Sequence, residues 1–288
     1  MQFLEALEAS RPWLMATAGF LGLCVGSFLN VVIHRLPKMM EARWRADCAE
    51  LEGREPPPAE PYNLVKPDSA CPSCGAPIRA WQNVPVLSWL ALRGKCASCK
   101  APIGIRYPLV ELFTGALSVL LAWRFGYSWQ LPAGLAFTWA LVALTFIDFD
   151  TQLLPDDITL PLLWGGLVAN LFGVFIDLRA AVLGAIAGYL VLWAVYWGFR
   201  LVAKKEGMGY GDFKLLAAIG AWTGWQVLPF VIVASAGVGA IVGGLVLWLS
   251  RRGADTRIPF GPYLALGGIL GLLWGREAIT WWLGFFPG

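Results

Sequence analysis

Four of the six cysteines stand in two pairs, Cys71–Cys74 and Cys96–Cys99, with 21 residues between the pairs. A CxxC…CxxC array offers four thiolates, the ligand set of a zinc ion, at a separation one residue longer than the usual range. The flanks CPSCGAPI and CASCKAPI are near-copies of each other. Two such turns aim backbone N–H groups at the sulfurs and clamp one tetrahedral ion. Disulfides are the competing reading in an oxidising compartment, and reduced redox thiols are a further alternative. Four protein ligands leave no open position for water, so a metal here is structural rather than catalytic. Cys24 and Cys48 stand alone; Cys24 lies in an apolar stretch, where a free cysteine behaves as a small hydrophobe.

The second set of chemical residues is acidic. Asp148, Asp150, Asp156 and Asp157 occur in FIDFDTQLLPDD, and Asp212 occurs in GMGYGDFKLL. Each has a plain structural explanation. Asp212 could cap a helix, and Asp156 and Asp157 follow Pro155 at a helix start. Asp148 is harder to explain, because it closes an apolar run, where the helix dipole disfavours an anion. Two carboxyl groups that share a site cannot both ionise easily, so one keeps its proton. The ionised partner then takes a proton from water, which attacks a peptide carbonyl, while the protonated partner donates to the carbonyl oxygen. Gly207, Gly209 and Gly211 before Asp212 offer a bare surface for an extended peptide, though a glycine-rich helix entry is also an ordinary turn.

The composition says which elements must hold these residues. Of 288 residues, 58% are hydrophobic and 14% charged, with a mean hydropathy of +0.62. A soluble domain carries roughly a quarter charged residues. The composition therefore argues against a soluble domain, disorder, a fibrous repeat and a nucleic-acid-binding protein. The 16 Trp and 33 Gly suit interfacial anchoring and close helix packing. A crossing helix needs about 20 apolar residues. Apolar runs occur at 13–33, 108–125, 130–147, 157–176, 179–201, 213–226, 228–249 and 261–283. No small-residue cleavage site follows the first, so it reads as a span rather than a removed signal peptide.

The sixth run is short and could be re-entrant. Charge argues otherwise. Of 22 Lys and Arg, eleven lie between Arg35 and Arg106, and Arg200, Lys204, Lys205, Lys214, Arg251, Arg252 and Arg257 join them on one side if all eight runs cross. Only Arg11, Arg124, Arg179 and Arg276 fall on the other side. The positive-inside rule then puts both termini outside the cytoplasm. Two crossings separate Asp148 from Asp212, so both carboxylates lie at the cytoplasmic boundary. The expected organisation is a first transmembrane helix at 1–36, a cytoplasmic loop with the four-Cys module at 37–107, and a seven-helix membrane domain at 108–288 carrying the aspartates. Within the loop, Met39 to Arg54 suits a surface helix, and EPPPAEPYNL is a proline-rich tether. So small a cysteine module needs its metal for part of its folding free energy.

These motifs resemble the type IV prepilin peptidases, bifunctional leader peptidase/N-methyltransferases of the GxGD type. GSFLNVVIHRLP, CPSCGAPI, NVPVLSWL, CASCKAPIGIRYPLVE, FIDFDTQLLPD, GMGYGDFKLLAAIGAW and IPFGPYLA carry the likeness over nearly the whole chain. The resemblance implies catalytic aspartates at Asp148 and Asp212, and zinc ligands at Cys71, Cys74, Cys96 and Cys99. It implies prepilin and pseudopilin substrates, cut after a glycine at the cytoplasmic face of the bacterial inner membrane, then N-methylated from S-adenosylmethionine. The expected fold is an all-α polytopic membrane protein of about eight transmembrane helices, in contact with lipid and not with nucleic acid, with a small cytoplasmic zinc-binding loop domain between the first and second.

Other residues remain open at this level. No GxGxxG follows a strand, so no Rossmann-type methyl-donor site is visible. Glu111 is a candidate polar contact, or a first-turn acid after Pro108. His34, the only histidine, stands at an expected helix end, and Asp150 either supports the dyad or is solvated. A peptidase with a purely scaffolding zinc loop and a non-enzymatic assembly or transport protein are the rival functions. Acids clustered at one face argue against transport, which places polar groups near mid-bilayer.

Overall fold

The structure is a computed structural model that describes residues 2–55, 61–204, 208–250 and 259–284. Pro56, Pro57 and Pro58 of the tether, Lys205, Gly207, Arg251, Arg252 and Arg257 lie outside the described residues. The regular elements are helices: α1 (Gln2–Ala9), α2 (Arg11–Leu51), α3 (Leu87–Ala91), α4 (Arg106–Phe125), α5 (Gln130–Thr151), α6 (Asp156–Leu171), α7 (Leu178–Ala203), α8 (Tyr210–Thr223), α9 (Leu228–Ser250) and α10 (Gly261–Gly284). Extended pairing among the described residues is confined to two isolated bridges, Ala70 with Pro77 and Lys95 with Pro102.

Each apolar run of the sequence becomes a helix. Among the described residues, α2, α4, α5, α7 and α9 are long and apolar enough to cross a membrane on their own. The helices α6 and α8 have 16 and 14 residues, about 24 and 21 Å at 1.5 Å per residue, short of a hydrocarbon core of about 30 Å. For α8 the reason is visible, since every residue from Leu215 to Thr223 is buried. A helix wrapped in protein has its polar ends satisfied by neighbours and need not match the lipid.

The chain forms two compact units, Met1–Tyr127 and Ser128–Gly288. In the first, α2 packs along α4 through small residues. A Cβ on Gly26 would stand 2.7 Å from Glu111 Cα, and one on Gly115 would stand 3.0 Å from the Leu23 side chain. Small residues let two backbones approach closely where apolar burial gives no drive between lipid-bathed helices. The break expected near His34 and the separate surface helix from Met39 do not occur: α2 is one helix of 41 residues with Pro37 inside it. An interior proline costs about 3 kcal/mol. The following KMMEARWRADCAEL is rich in strong helix formers, and Glu41 pairs with Arg45 one turn on.

In the second unit α8 is central, packed by α6, α7 and α10, and α10 also meets α5 and α9. At the α7–α8 crossing, a Cβ on Gly184 would run into the Gly220 carbonyl oxygen, and one on Gly220 into that of Gly184. Buried Asn170 ties the end of α6 to the end of α8. Its Nδ2 donates to the Ala221 carbonyl at 2.8 Å, and its Oδ1 accepts the N–H groups of Phe175 and Ile176 at 3.1 Å. Most residues along the apolar stretches of α7 and α9 are not buried in the protein, which leaves apolar side chains there for lipid.

Candidate active site and metal centre

Asp148 lies in the last turn of α5, where the C-terminal dipole opposes its charge. It is 5% exposed. The compensation comes from 113 residues away. The Gly261 N–H, at the start of α10, donates to Asp148 Oδ2 at 3.0 Å. Asp212 is 6% exposed and sits in the first turn of α8. The cap residue of that helix is Gly209 rather than Asp212. Asp212 N–H donates to the Gly209 carbonyl at 3.3 Å, and its carboxylate accepts from the Gly209 backbone. This is the acid's half of a capping box, so the spacing G-Y-G-D also has a local structural reason.

The structure brings the two acids together: Asp148 and Asp212 are close enough for their charges to interact. Leu154 lies between their supports. A Cβ on Gly211 would meet Leu154 Cβ at 2.8 Å, and one on Gly261 would meet Leu154 Cδ2 at 3.1 Å. Two buried carboxyl groups in one site, one at a helix end and one at a helix start, can share a proton and polarise a water. Asp156 and Asp157 are not brought into it as caps. The α6 cap position is Pro155, and Asp156 accepts from Lys214 Nζ with both oxygens at 2.7 Å, which pins the start of α6 to α8 two residues past Asp212. Asp150 is exposed.

The four cysteines of the repeated motif converge. Their sulfurs all lie within 4.8 Å of one another, with Cys71 and Cys99 3.8 Å apart. A ZnS₄ tetrahedron with Zn–S near 2.3 Å has edges of about 3.8 Å, so the donor set fits a tetrahedral thiophilic ion. The two turns share one geometry. Cys71 N–H donates to Ala76 O and Cys96 N–H to Ala101 O, and the fifth residue of each, Gly75 and Lys100, has positive φ. The N–H groups of Cys99 and Ser98 bring the Cys96 thiol down to about 6, and those of Ser73 and Cys74 lower Cys71. Cys99 moves the other way, to about 11: the Ala101 N–H lowers it, but the neighbouring sulfurs, Cys74 foremost, outweigh that. The lowered pair favours the thiolate that a metal needs.

Glu111 and His34, which the sequence left open, take definite places, and Arg35 joins them. Glu111 lies past the first turn of α4, which starts at Arg106. It is buried, accepts the Val86 N–H at 2.7 Å and is hydrogen-bonded by Ser27. Val86 holds φ of 60°, a conformation that β-branched residues rarely adopt. His34 lies within α2 and meets Lys38 Nζ at 3.0 Å. Arg35 is buried against the loop that leads to the cysteines, donating to Asn63 O at 2.9 Å and Pro67 O at 2.6 Å. Nothing in the sequence marked Arg35 beyond its charge and its place in GSFLNVVIHRLP. Gly261 was likewise unmarked except as part of IPFGPYLA.

Residues 20–125 match the bacterial peptidase A24 N-terminal domain, and residues 135–244 match the type IV leader peptidase family. A protein of Pseudomonas aeruginosa named prepilin leader peptidase/N-methyltransferase is 59% identical over 286 residues, 99% of each chain. Proteins of the same name from Aeromonas hydrophila and Burkholderia pseudomallei are 55% and 53% identical. The first alignment covers 98% of this chain and 99% of the relative, the second 91% and 85%. No solved structure matches this chain significantly. With both domain matches in order, relatives this similar along their full length, and the motif-bearing aspartates and cysteines each gathered in space, the chain belongs to the type IV leader peptidase family.

Proposed function

We propose that this protein removes the leader peptides of type IV prepilins and pseudopilins at the cytoplasmic face of the bacterial inner membrane, and then N-methylates the new N-terminal residue. The reading is carried by one observation: Asp148 and Asp212 are both buried, and the glycines that adjoin them, Gly261 and Gly211, pack on the same Leu154 side chain. The pair holds one proton and titrates as a unit. Its ionised member takes a proton from water as the water oxygen bonds to the scissile carbonyl carbon. Its protonated member gives a proton to the carbonyl oxygen. Collapse of the tetrahedral intermediate breaks the C–N bond, and the amine leaves with a proton from the dyad. A prepilin's apolar segment stays in the bilayer, which sets the leader junction at the depth of the two acids.

Cys71, Cys74, Cys96 and Cys99 hold a structural zinc ion in this reading, supported by the sulfur spacing and the N–H groups aimed at the thiols. S-adenosylmethionine, when bound, supplies the methyl group. The lopsided distribution of Lys and Arg supports eight crossings, with residues 37–107 and both aspartates on the cytoplasmic side.

The test is a mass measurement on a purified prepilin incubated with the protein in detergent, with and without S-adenosylmethionine. Asp148→Asn and Asp212→Asn are each expected to abolish leader loss at unchanged protein abundance. Normal processing by either variant would refute the dyad.

A further inference from the structure

We propose that Gly261 is the positioning residue of Asp148, an inference that rests on the dyad reading above. The start of α10 leaves few donors free. The first N–H groups of a helix have no partner inside it. Pro262 has none to give. Tyr263 and Leu264 both donate to the Phe260 carbonyl at 3.1 Å. The N–H of Gly261 is the donor that remains, and it goes to Asp148 Oδ2 at 3.0 Å in a buried setting. One oxygen of the carboxylate is thereby fixed, and the other is left for water. The positive end of α10 also offsets the opposing dipole at the end of α5.

The same position must carry no side chain. A Cβ at 261 would stand 2.6 Å from the oxygen that its own N–H holds, and 3.1 Å from Asp148 Cγ. Both contacts are relieved only by moving that carboxylate, and so by displacing the reacting group. Donor and empty space are thus required at one residue. Gly261 touches neither the water nor the peptide; it acts through Asp148.

The experiment measures cleavage kinetics on full-length protein in detergent, with methylation of a leaderless pilin peptide as an internal control. Gly261→Ala is expected to lower kcat for cleavage about 100-fold, the cost of misplacing a reacting group by about 1 Å. KM and methylation are expected to stay at the wild-type level. Gly275→Ala crowds the same helix against Val227, away from the aspartates, and is expected to keep wild-type kcat. Replacing Gly261 with glycolic acid deletes the N–H without adding a Cβ, and is expected to lower kcat about tenfold, as losing a charged hydrogen bond does. This variant decides the matter if Gly261→Ala fails to accumulate. Wild-type kcat in the glycolic acid variant, an equal loss in Gly275→Ala, or methylation falling in parallel overturns the proposal. Asp148→Asn in the same assay separates the two ideas. If it still cleaves, the dyad fails; if it is inactive while both Gly261 variants cleave normally, only the role of Gly261 fails.

Discussion

Single residues in this protein repeatedly serve two purposes. Asp212 both completes a helix start and faces a second acid, so a capping explanation and a catalytic one do not compete. Gly261 supplies a donor and a vacancy. Among the cysteines the doubling lies in the turn: the fold closed by the N–H groups of Cys71 and Cys96 also points those of Ser73, Cys74, Ser98 and Cys99 at the sulfurs. Removing one ligand should therefore lose the ion and the module together. Cys96→Ser is expected to drop the zinc content from about one per chain to near zero. Residues 68–104 should then be cut rapidly by a protease that leaves the wild-type module whole. Retention of zinc with an intact module would show that the cysteines do not share one ion.

At the scale of elements, helices are packed through missing side chains. Gly184 and Gly220 oppose each other where α7 crosses α8, and each occupies the space the other's Cβ would need. Gly184→Ala or Gly220→Ala is expected to destabilise the second unit by about 1–3 kcal/mol through overpacking. The double substitution should cost less than the sum, because the first already pushes the helices apart. Denaturant unfolding in mild detergent measures both. Additive losses would mean that the two glycines do not report on one contact. The helices themselves were legible in the sequence, because long apolar runs have one solution in lipid. The end of α2 was not legible. Pro37 reads as a stop, but the helix-forming residues after it and their own pairing carry the helix through. The Asp156–Lys214 pair was equally hidden, since an acid beside a proline looks like a cap until its partner 58 residues on is seen.

For the whole molecule, the charge pattern makes a claim that vesicles can check. In sealed inverted membranes, a protease should reach the 37–107 segment, while in intact spheroplasts the same bonds should be protected. Cleavage from the outer side would reverse the topology and place the acids on the wrong face for a prepilin leader. Composition and run length by themselves determined that this chain is helical and membrane-spanning, because burying backbone polar groups in lipid leaves few options. The duplicated cysteine motif marked the four thiols that converge, because each pair lies within one local turn and the two turns are near-copies. Local spacing could not reveal what holds Asp148, how α7 and α8 meet, or that Glu111 supports the turn at Val86. Those contacts join segments tens of residues apart, and only the folded packing of helices decides which distant backbone N–H, carbonyl or bare glycine comes to lie against them.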